Sequence, residues 1–351
     1  MVGMMRRVLV SAPGVVEIEA APIPSPGPGE VLVAMTVSGI CGSDVHAAHG
    51  RHPFVMLPYH PGHEVAGVVE EVGAGVTVRV GQRVVAEPIL FCGSCKFCAD
   101  GRYNLCRTMT FFGCTTPTGG MADYFVLPEH RLHLLSSALT DLQAALIEPL
   151  ATPVHAVRLA GPDLTDRSVA ILGAGTIGLL TLVAARHRGA ARIAVTDTLP
   201  SKRELALRLG ADSVHDAAAP DLVEVVRAEL GESADIVFDC VAVQQTVDQA
   251  VGMAVKGGTV VIVGVPAAPV KVPLPQIQDL QVRIQGSATY VREDYLESIR
   301  MLEAGLVTPE DLVTAQYPLA QASVAFADAA SGRQVKVVVL ADRELAKPAN
   351  H

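Results

Sequence analysis

The chain has 351 residues, half of them apolar, and a net charge of -9 at pH 7. That length suits two domains with ample core. The acidic balance argues against a nucleic-acid partner, whose phosphates call for a basic face. No apolar run reaches the roughly 18 residues needed to span a bilayer.

Met1 to Val10 holds two arginines but no sustained apolar segment and no cleavage pattern. No secretion signal is read there, and a cytoplasmic protein is expected. The seven cysteines, an odd number in a long chain, point to metal or catalytic thiols rather than a disulfide framework.

In chain order, the first 150 residues read as short strands and turns. Strands are expected at Val8–Val10, Val15–Ala20, Glu30–Val37, Gly67–Val72, Arg83–Ala86 and Asp123–Leu127. Pro22, Pro24, Pro26 and Pro28 read as a surface connection. Thr140 begins a helix to Ile147, with Gln143 completing a capping box. Pro149 should stop it and force Glu148 toward an extended conformation, and a second helix is expected near Pro153. From Ser168 the rhythm becomes strand, helix, strand, helix: Val169–Leu172, Ile177–Arg188, Ile193–Thr196, Ser201–Leu209, then strands Ile236–Asp239 and Thr259–Val263. This alternation implies a parallel, doubly wound α/β sheet. Mixed elements follow residue 287 and end in a strand, Val335–Leu340.

Gly173-Ala174-Gly175-Thr176-Ile177-Gly178 is GxGxxG between a strand and a helix, the setting in which that motif binds a dinucleotide. Gly173 makes the tight turn, Gly175 lets backbone approach the pyrophosphate, and Gly178 lets helix and strand pack. The N–H groups opening the helix at Thr176 and Ile177 face the phosphates. Asp197, about twenty residues on, is placed to accept from ribose hydroxyls and repel a 2′-phosphate, so NAD is expected over NADP. Lys202 and Arg203 oppose that preference. The alternative ligand is another nucleotide-like molecule such as S-adenosylmethionine.

Cys92, Cys95, Cys98 and Cys106 stand as Cys-x2-Cys-x2-Cys-x7-Cys. Four clustered thiols read as a closed, structural zinc site, with an iron–sulfur cluster as the alternative. Cys41, the pair His63-Glu64, and Glu148 are metal-ligand types too, but their spacing alone does not unite them.

The chain resembles the zinc-dependent medium-chain dehydrogenases over essentially its whole length. The resemblance is carried by Gly39-Ile40-Cys41-Gly42-Ser43-Asp44-Val45-His46, Pro61-Gly62-His63-Glu64-Val65-Ala66-Gly67, the four-cysteine loop, Ile147-Glu148-Pro149-Leu150 and the GxGxxG. It implies a GroES-like, β-rich catalytic domain (1–150) holding both zinc sites, a Rossmann domain (151–287), and a C-terminal return to the catalytic domain (288–351). It also implies two zinc ions per subunit and a dimer or tetramer formed through the cofactor-domain sheet. Cys41, His63 and Glu148 would bind the catalytic zinc, with Glu64 as a nearby or exchanging ligand. Ser43 and His46 match proton-relay positions, and Lys336 a contact to cofactor phosphates. Phe112, Thr115 and Tyr290 fall in the substrate pocket.

Glu148, Gly50-Arg51, Phe111–Thr116 and Gly286–Tyr290 are similar to the sorbitol dehydrogenase branch. That branch carries Phe-Arg-Tyr where this chain has Ala288-Thr289-Tyr290. Loss of the arginine shifts the expected substrate toward a secondary alcohol or vicinal diol, with a polyol still in the class. Oxidation of a threonine-like amino-alcohol or a cyclic polyol is the runner-up. The retained metal residues disfavour the zinc-free quinone reductases of this fold, and the acidic charge disfavours a zinc-ribbon regulatory protein.

Overall fold

The computed structural model describes residues 3–231 and 233–342. The chain forms two units, Met1–Glu148 with Ile299–His351, and Pro149–Ser298. The first crossing, expected at 150, lies at Glu148/Pro149. The return, expected at 288, comes at Ile299, because the helix Arg292–Glu303 begins within the second unit. Among the described residues no helix is long and apolar enough to cross a membrane.

The first unit opens with the hairpin β1 (Met4–Ala12) and β2 (Val15–Pro22). After the proline-rich connection comes β3 (Glu30–Ile40), buried at every residue but its first. A strand buried on both faces has no polar alternation, and Val31 to Val37 accordingly reads as a nearly continuous apolar run. The strands β4 (Glu64–Val72), β5 (Arg83–Ala86), β6 (Ile89–Leu90), β7 (Thr110–Phe111), β8 (Tyr124–Pro128) and β9 (Leu132–Leu134) follow.

The second unit carries β10 (Ser168–Leu172), β11 (Arg192–Asp197), β12 (Ser213–Asp216), β13 (Ala234–Asp239), β14 (Ala254–Ile262) and β15 (Arg283–Gly286). Returning to the first unit, β16 (Val313–Pro318) and β17 (Lys336–Leu340) join its main sheet, ordered β16-β17-β3-β4-β5-β9 with β8 also on β3. Val33, Met35, Val65, Phe125 and Val339 belong to the core on this sheet.

The second sheet runs β12-β11-β10-β13-β14-β15, parallel throughout. This is the doubly wound order expected of a dinucleotide-binding unit. Its outermost strands, β12 and β15, are not apparent in the sequence. Each is a four-residue edge strand that is at most half-buried, so neither has an apolar run to betray it.

One stretch corrects the helix assignment. The capping box of Thr140 and Gln143 forms, but its helix ends at Ala144. The next helix runs Ile147–Ala160, with Glu148 and Pro149 in its first turn and Pro153 inside it. Proline is accommodated in a first turn, where its missing N–H has no intrahelical partner to lose. Pro149 therefore does not end a helix, and Glu148 is helical rather than extended.

Candidate active site

Strand register assembles the first cluster. Gly39 pairs with Glu64 across β3 and β4, and Ile40 pairs with Val337 across β3 and β17. Three segments far apart in sequence therefore end side by side: Cys41 after β3, His63 before β4, and Lys336 opening β17. Ligand atoms of Cys41, His63 and Glu64 all lie within 4.8 Å of one another. A thiolate, an imidazole and a carboxylate are a donor set suited to zinc.

Glu64 and Lys336 are 1 % and 3 % exposed. The Lys336 ammonium donates to both Glu64 oxygens at 2.7 Å and to the Ile40 carbonyl at 3.2 Å. Burial alone would lower its pKa, but Glu64 and then Cys41 outweigh that and hold it raised. Lys336 was expected at the cofactor phosphates; instead its donors are used inside the first unit. A Cβ at Gly39 would collide with Oε2 of Glu64, so only glycine leaves room for that carboxylate.

Glu148 is buried but lies outside the three-residue set. Its charge acts on Lys336, which places it at the border of the same cluster. Ser43 is half-buried in the first turn of the helix Gly42–Ala48, and His46 is exposed three residues later. That spacing puts both on one helix face.

Asp44, Tyr59 and Cys114 were missed as site residues. The fully buried Asp44 accepts from Cys41 N at 3.0 Å and from the Tyr59 hydroxyl at 3.2 Å. Cys114 Sγ lies 3.3 Å from His63 Nδ1. Asp44 had a detectable signal, since an aspartate three residues after a cap position closes a capping box. Cys114 had none, because its contact spans fifty-one residues.

The pocket assignment also changes. Phe112 is 1 % exposed and packs in the core against Phe125. Its neighbour Phe111 instead meets the His63 ring edge-on at 5.6 Å. Phe111 ends β7 and Phe112 begins the turn after it; one ring lies against His63 and the other in the core. Thr115 is exposed, its hydroxyl accepting from Phe111 N at 2.8 Å. Tyr290 is fully buried beside Tyr295 in the second unit.

The four-cysteine loop closes as its spacing implied. Sγ separations of 3.5 Å (Cys95–Cys98), 3.5 Å (Cys92–Cys106) and 3.9 Å (Cys92–Cys98) bracket the roughly 3.8 Å edge of a tetrahedron with about 2.3 Å zinc–sulfur bonds. The loop stands on a buried polar base. Glu87 accepts from Tyr103 inside the loop at 2.5 Å, from Arg131 at 2.9 Å and from His133 at 2.7 Å. Arg131 also lies over the stacked rings of Phe91 and Tyr103.

In the second unit Gly173 has φ 91°, which favours glycine, and a Cβ at Gly178 would strike the Gly173 carbonyl. A Cβ at Gly175 would project into open space at the mouth of the helix Thr176–His187, the cradle a pyrophosphate needs. Asp197 ends β11, its carboxylate accepting from Ala174 N and Leu199 N, each at 2.8 Å. Arg203 caps the Asp197 carbonyl, while Lys202 is half-buried nearby. Beyond the carboxyl ends of the strands, Ser287 and Thr289 have buried hydroxyls with no hydrogen-bond partner among the described residues. Thr289 also sits at φ 48°, a conformation a β-branched residue rarely adopts. Such orphaned groups fit a bound ligand.

Two family models match: the alcohol dehydrogenase GroES-like domain over residues 27–137 and the zinc-binding dehydrogenase domain over 176–304. The chain belongs to the zinc-binding alcohol dehydrogenases. It is 36% identical to the sorbitol dehydrogenase of Gallus gallus over 97% of each sequence. A Sinorhizobium meliloti 1021 structure, described as a zinc-binding dehydrogenase bound to NADP, superposes with a TM-score of 0.90. It is 33% identical, covering 96% of this chain and 99% of that one. The 2R,3R-butanediol dehydrogenase of Bacillus subtilis gives 0.89 at 28% identity, covering 96% and 100%. This zinc-binding dehydrogenase therefore falls in the polyol-related branch that its sequence motifs indicated.

Proposed function

We propose that the enzyme oxidises a secondary alcohol, vicinal diol or polyol to the ketone, with NAD as acceptor and two zinc ions per subunit. The observation that carries this reading is the convergence of Cys41, His63 and Glu64 on one buried point, with Glu148 bordering it. The sorbitol and butanediol dehydrogenases it resembles support the substrate class.

When bound, zinc supplies the charge that eases loss of a hydroxyl proton, and nicotinamide supplies the hydride acceptor. The chain's own residues do the rest. Cys41 and His63 hold the metal, and Glu64 and Glu148 share the carboxylate position. Cys41, Glu64 and Glu148 bring three negative charges. Zn²⁺ and Lys336 bring three positive ones, so the cluster tolerates both carboxylates without excess charge. Ser43 takes the substrate proton, and His46 delivers it to solvent from the same helix face. Cys92, Cys95, Cys98 and Cys106 hold the structural ion.

The glycines 173, 175 and 178, with Thr176 and Ile177, hold the pyrophosphate. Asp197 holds the adenosine ribose and disfavours a 2′-phosphate, in contrast to the NADP-bound Sinorhizobium meliloti protein. Thr289 stands where the sorbitol dehydrogenase branch has an arginine, and the loss of that polyol-gripping side chain favours shorter diols. A cytoplasmic homodimer or homotetramer, joined through edge strand β15, completes the proposal.

The test is zinc per chain on purified protein, followed by a panel of alcohols, diols, polyols and amino-alcohols with NAD and with NADP. Two zincs and NAD-linked diol or polyol turnover are expected. Turnover confined to amino-alcohols, or to NADP, would overturn the assignment.

A further inference from the structure

Cys114 is separated from His63 by fifty-one residues, yet four glycines press their two segments together. A Cβ at Gly113 would collide with the Gly62 carbonyl and His63 N; one at Gly62 with Met121 N. A Cβ at Gly119 would strike the His60 and Pro61 carbonyls, and one at Gly120 the side chain of Val65. Gly62 and Gly113 also have φ of 110° and 75°. At these four positions the seam admits no Cβ, and it delivers the next residue, Cys114, onto the His63 ring.

The His63 ring is then fixed on two sides. Phe111 meets it edge-on, with planes 71° apart. Nδ1 is the nitrogen that faces Cys114 Sγ at 3.3 Å and Asp44 Oδ1 at 3.8 Å. At that distance Asp44 is beyond hydrogen-bond range, and its oxygens already receive Tyr59 and Cys41 N. The remaining nitrogen, Nε2, is left for the side shared with Cys41 and Glu64.

We infer that Cys114 is a positioning residue for the catalytic metal: its sulfur accepts the Nδ1–H of His63 and so directs Nε2 to the ion. This rests on the zinc reading above. A metal-bound histidine is normally oriented by the partner of its second nitrogen. Sulfur is a weaker acceptor than carboxylate, so this partner orients the ring while adding little basicity to it.

The test uses the metal rather than turnover. Zinc affinity is measured by competition with a chromophoric chelator in the full-length wild type and in Cys114→Ala, Cys114→Val, Cys114→Ser and Gly113→Ala. Cobalt(II) spectra report ligand geometry. Cys114→Ala and Cys114→Val should weaken one of the two zinc sites by roughly 10- to 100-fold, leaving the loop zinc and NADH binding unchanged. Valine fills the thiol's volume and serves if the alanine variant does not fold. Cys114→Ser retains an acceptor and should stay near wild type. Gly113→Ala keeps the thiol but forces the seam apart, and should mimic Cys114→Ala. Wild-type zinc affinity in both Cys114→Ala and Cys114→Val would overturn the inference. So would a serine variant as weak as alanine. A wild-type protein that binds only the loop zinc would fail before any substitution, and would overturn the zinc reading and this inference together.

Discussion

Lys336 and Glu64 form an ion pair with both carboxylate oxygens 2.7 Å from one ammonium, in a part of the first unit nearly closed to water. Two such charges are costly to bury separately, so each holds the other in place. Lys336→Met should therefore lower stability by about 3–5 kcal/mol, the usual cost of stranding a buried partner. The double variant Lys336→Met, Glu64→Gln should recover most of it. Denaturant unfolding of wild type, both single variants and the double variant checks this; an additive double variant would mean the pair is not coupled.

On the proposed reading, a zinc held by all four cysteines has no open coordination position, so it should matter to folding before chemistry. Cys98→Ser is expected to lose one zinc and several degrees of thermal midpoint. The kcat measured below that midpoint should stay near wild type. Glu87→Gln should reproduce part of the thermal loss with both zincs still bound, because Tyr103, Arg131 and His133 all donate to Glu87. Unchanged melting in Cys98→Ser would show the loop metal to be dispensable.

Asp197 holds its own turn through Ala174 N and Leu199 N, so removing the whole side chain confounds charge with structure. Asp197→Asn keeps an acceptor and removes the negative charge. Its ratio of kcat/KM for NAD over NADP should fall roughly tenfold, about 1.4 kcal/mol of lost discrimination. Asp197→Ala should fall similarly and also melt earlier. An unchanged ratio in the asparagine variant would locate cofactor choice elsewhere.

Asp294 is buried in the second unit and accepts from His155 at 2.7 Å and from Arg158 at 2.6 and 2.9 Å. Burial alone would raise its pKa, but the hydrogen bonds from His155 and Arg158 outweigh that and hold it down to about 2. A pKa depressed in the folded state stabilises above the unfolded value of about 3.9 and is lost as pH falls toward 2. The contribution at neutral pH is roughly 2 kcal/mol. Asp294→Asn should be less stable at pH 7 and should lack this part of the acid-induced loss between about pH 4 and 2. Parallel stability curves for the two proteins across that window would contradict the assignment.

Local signals in the sequence were enough for much of this protein. The four cysteines sit within fifteen residues, so their closure needs little from the rest of the fold. The GxGxxG lies between a strand and a helix and carries its own backbone requirements at Gly173 and Gly178. Alternation of strands and helices after Ser168 specified the parallel sheet, apart from the half-exposed edges β12 and β15. Whether a proline ends a helix or enters its first turn was not legible at Pro149, because both readings satisfy the same dipeptide.

The tertiary structure decided what register and close approach control. Cys41, His63 and Lys336 meet only because Gly39 pairs with Glu64 and Ile40 with Val337. No spacing along the chain encodes those pairings. Lys336 lies on a carboxylate instead of facing a phosphate because β17 adds to β3 at that register. Phe111 rather than Phe112 faces His63 because the strand ends at Phe111 and the turn begun by Phe112 leads into the core. Cys114 reaches His63 through a seam of glycines whose purpose is invisible until two backbones are seen to touch. Chemistry carried by a contiguous motif can be read from sequence. Chemistry made by strands meeting end to end depends on pairings whose hydrogen bonds look alike at every register until the core selects one.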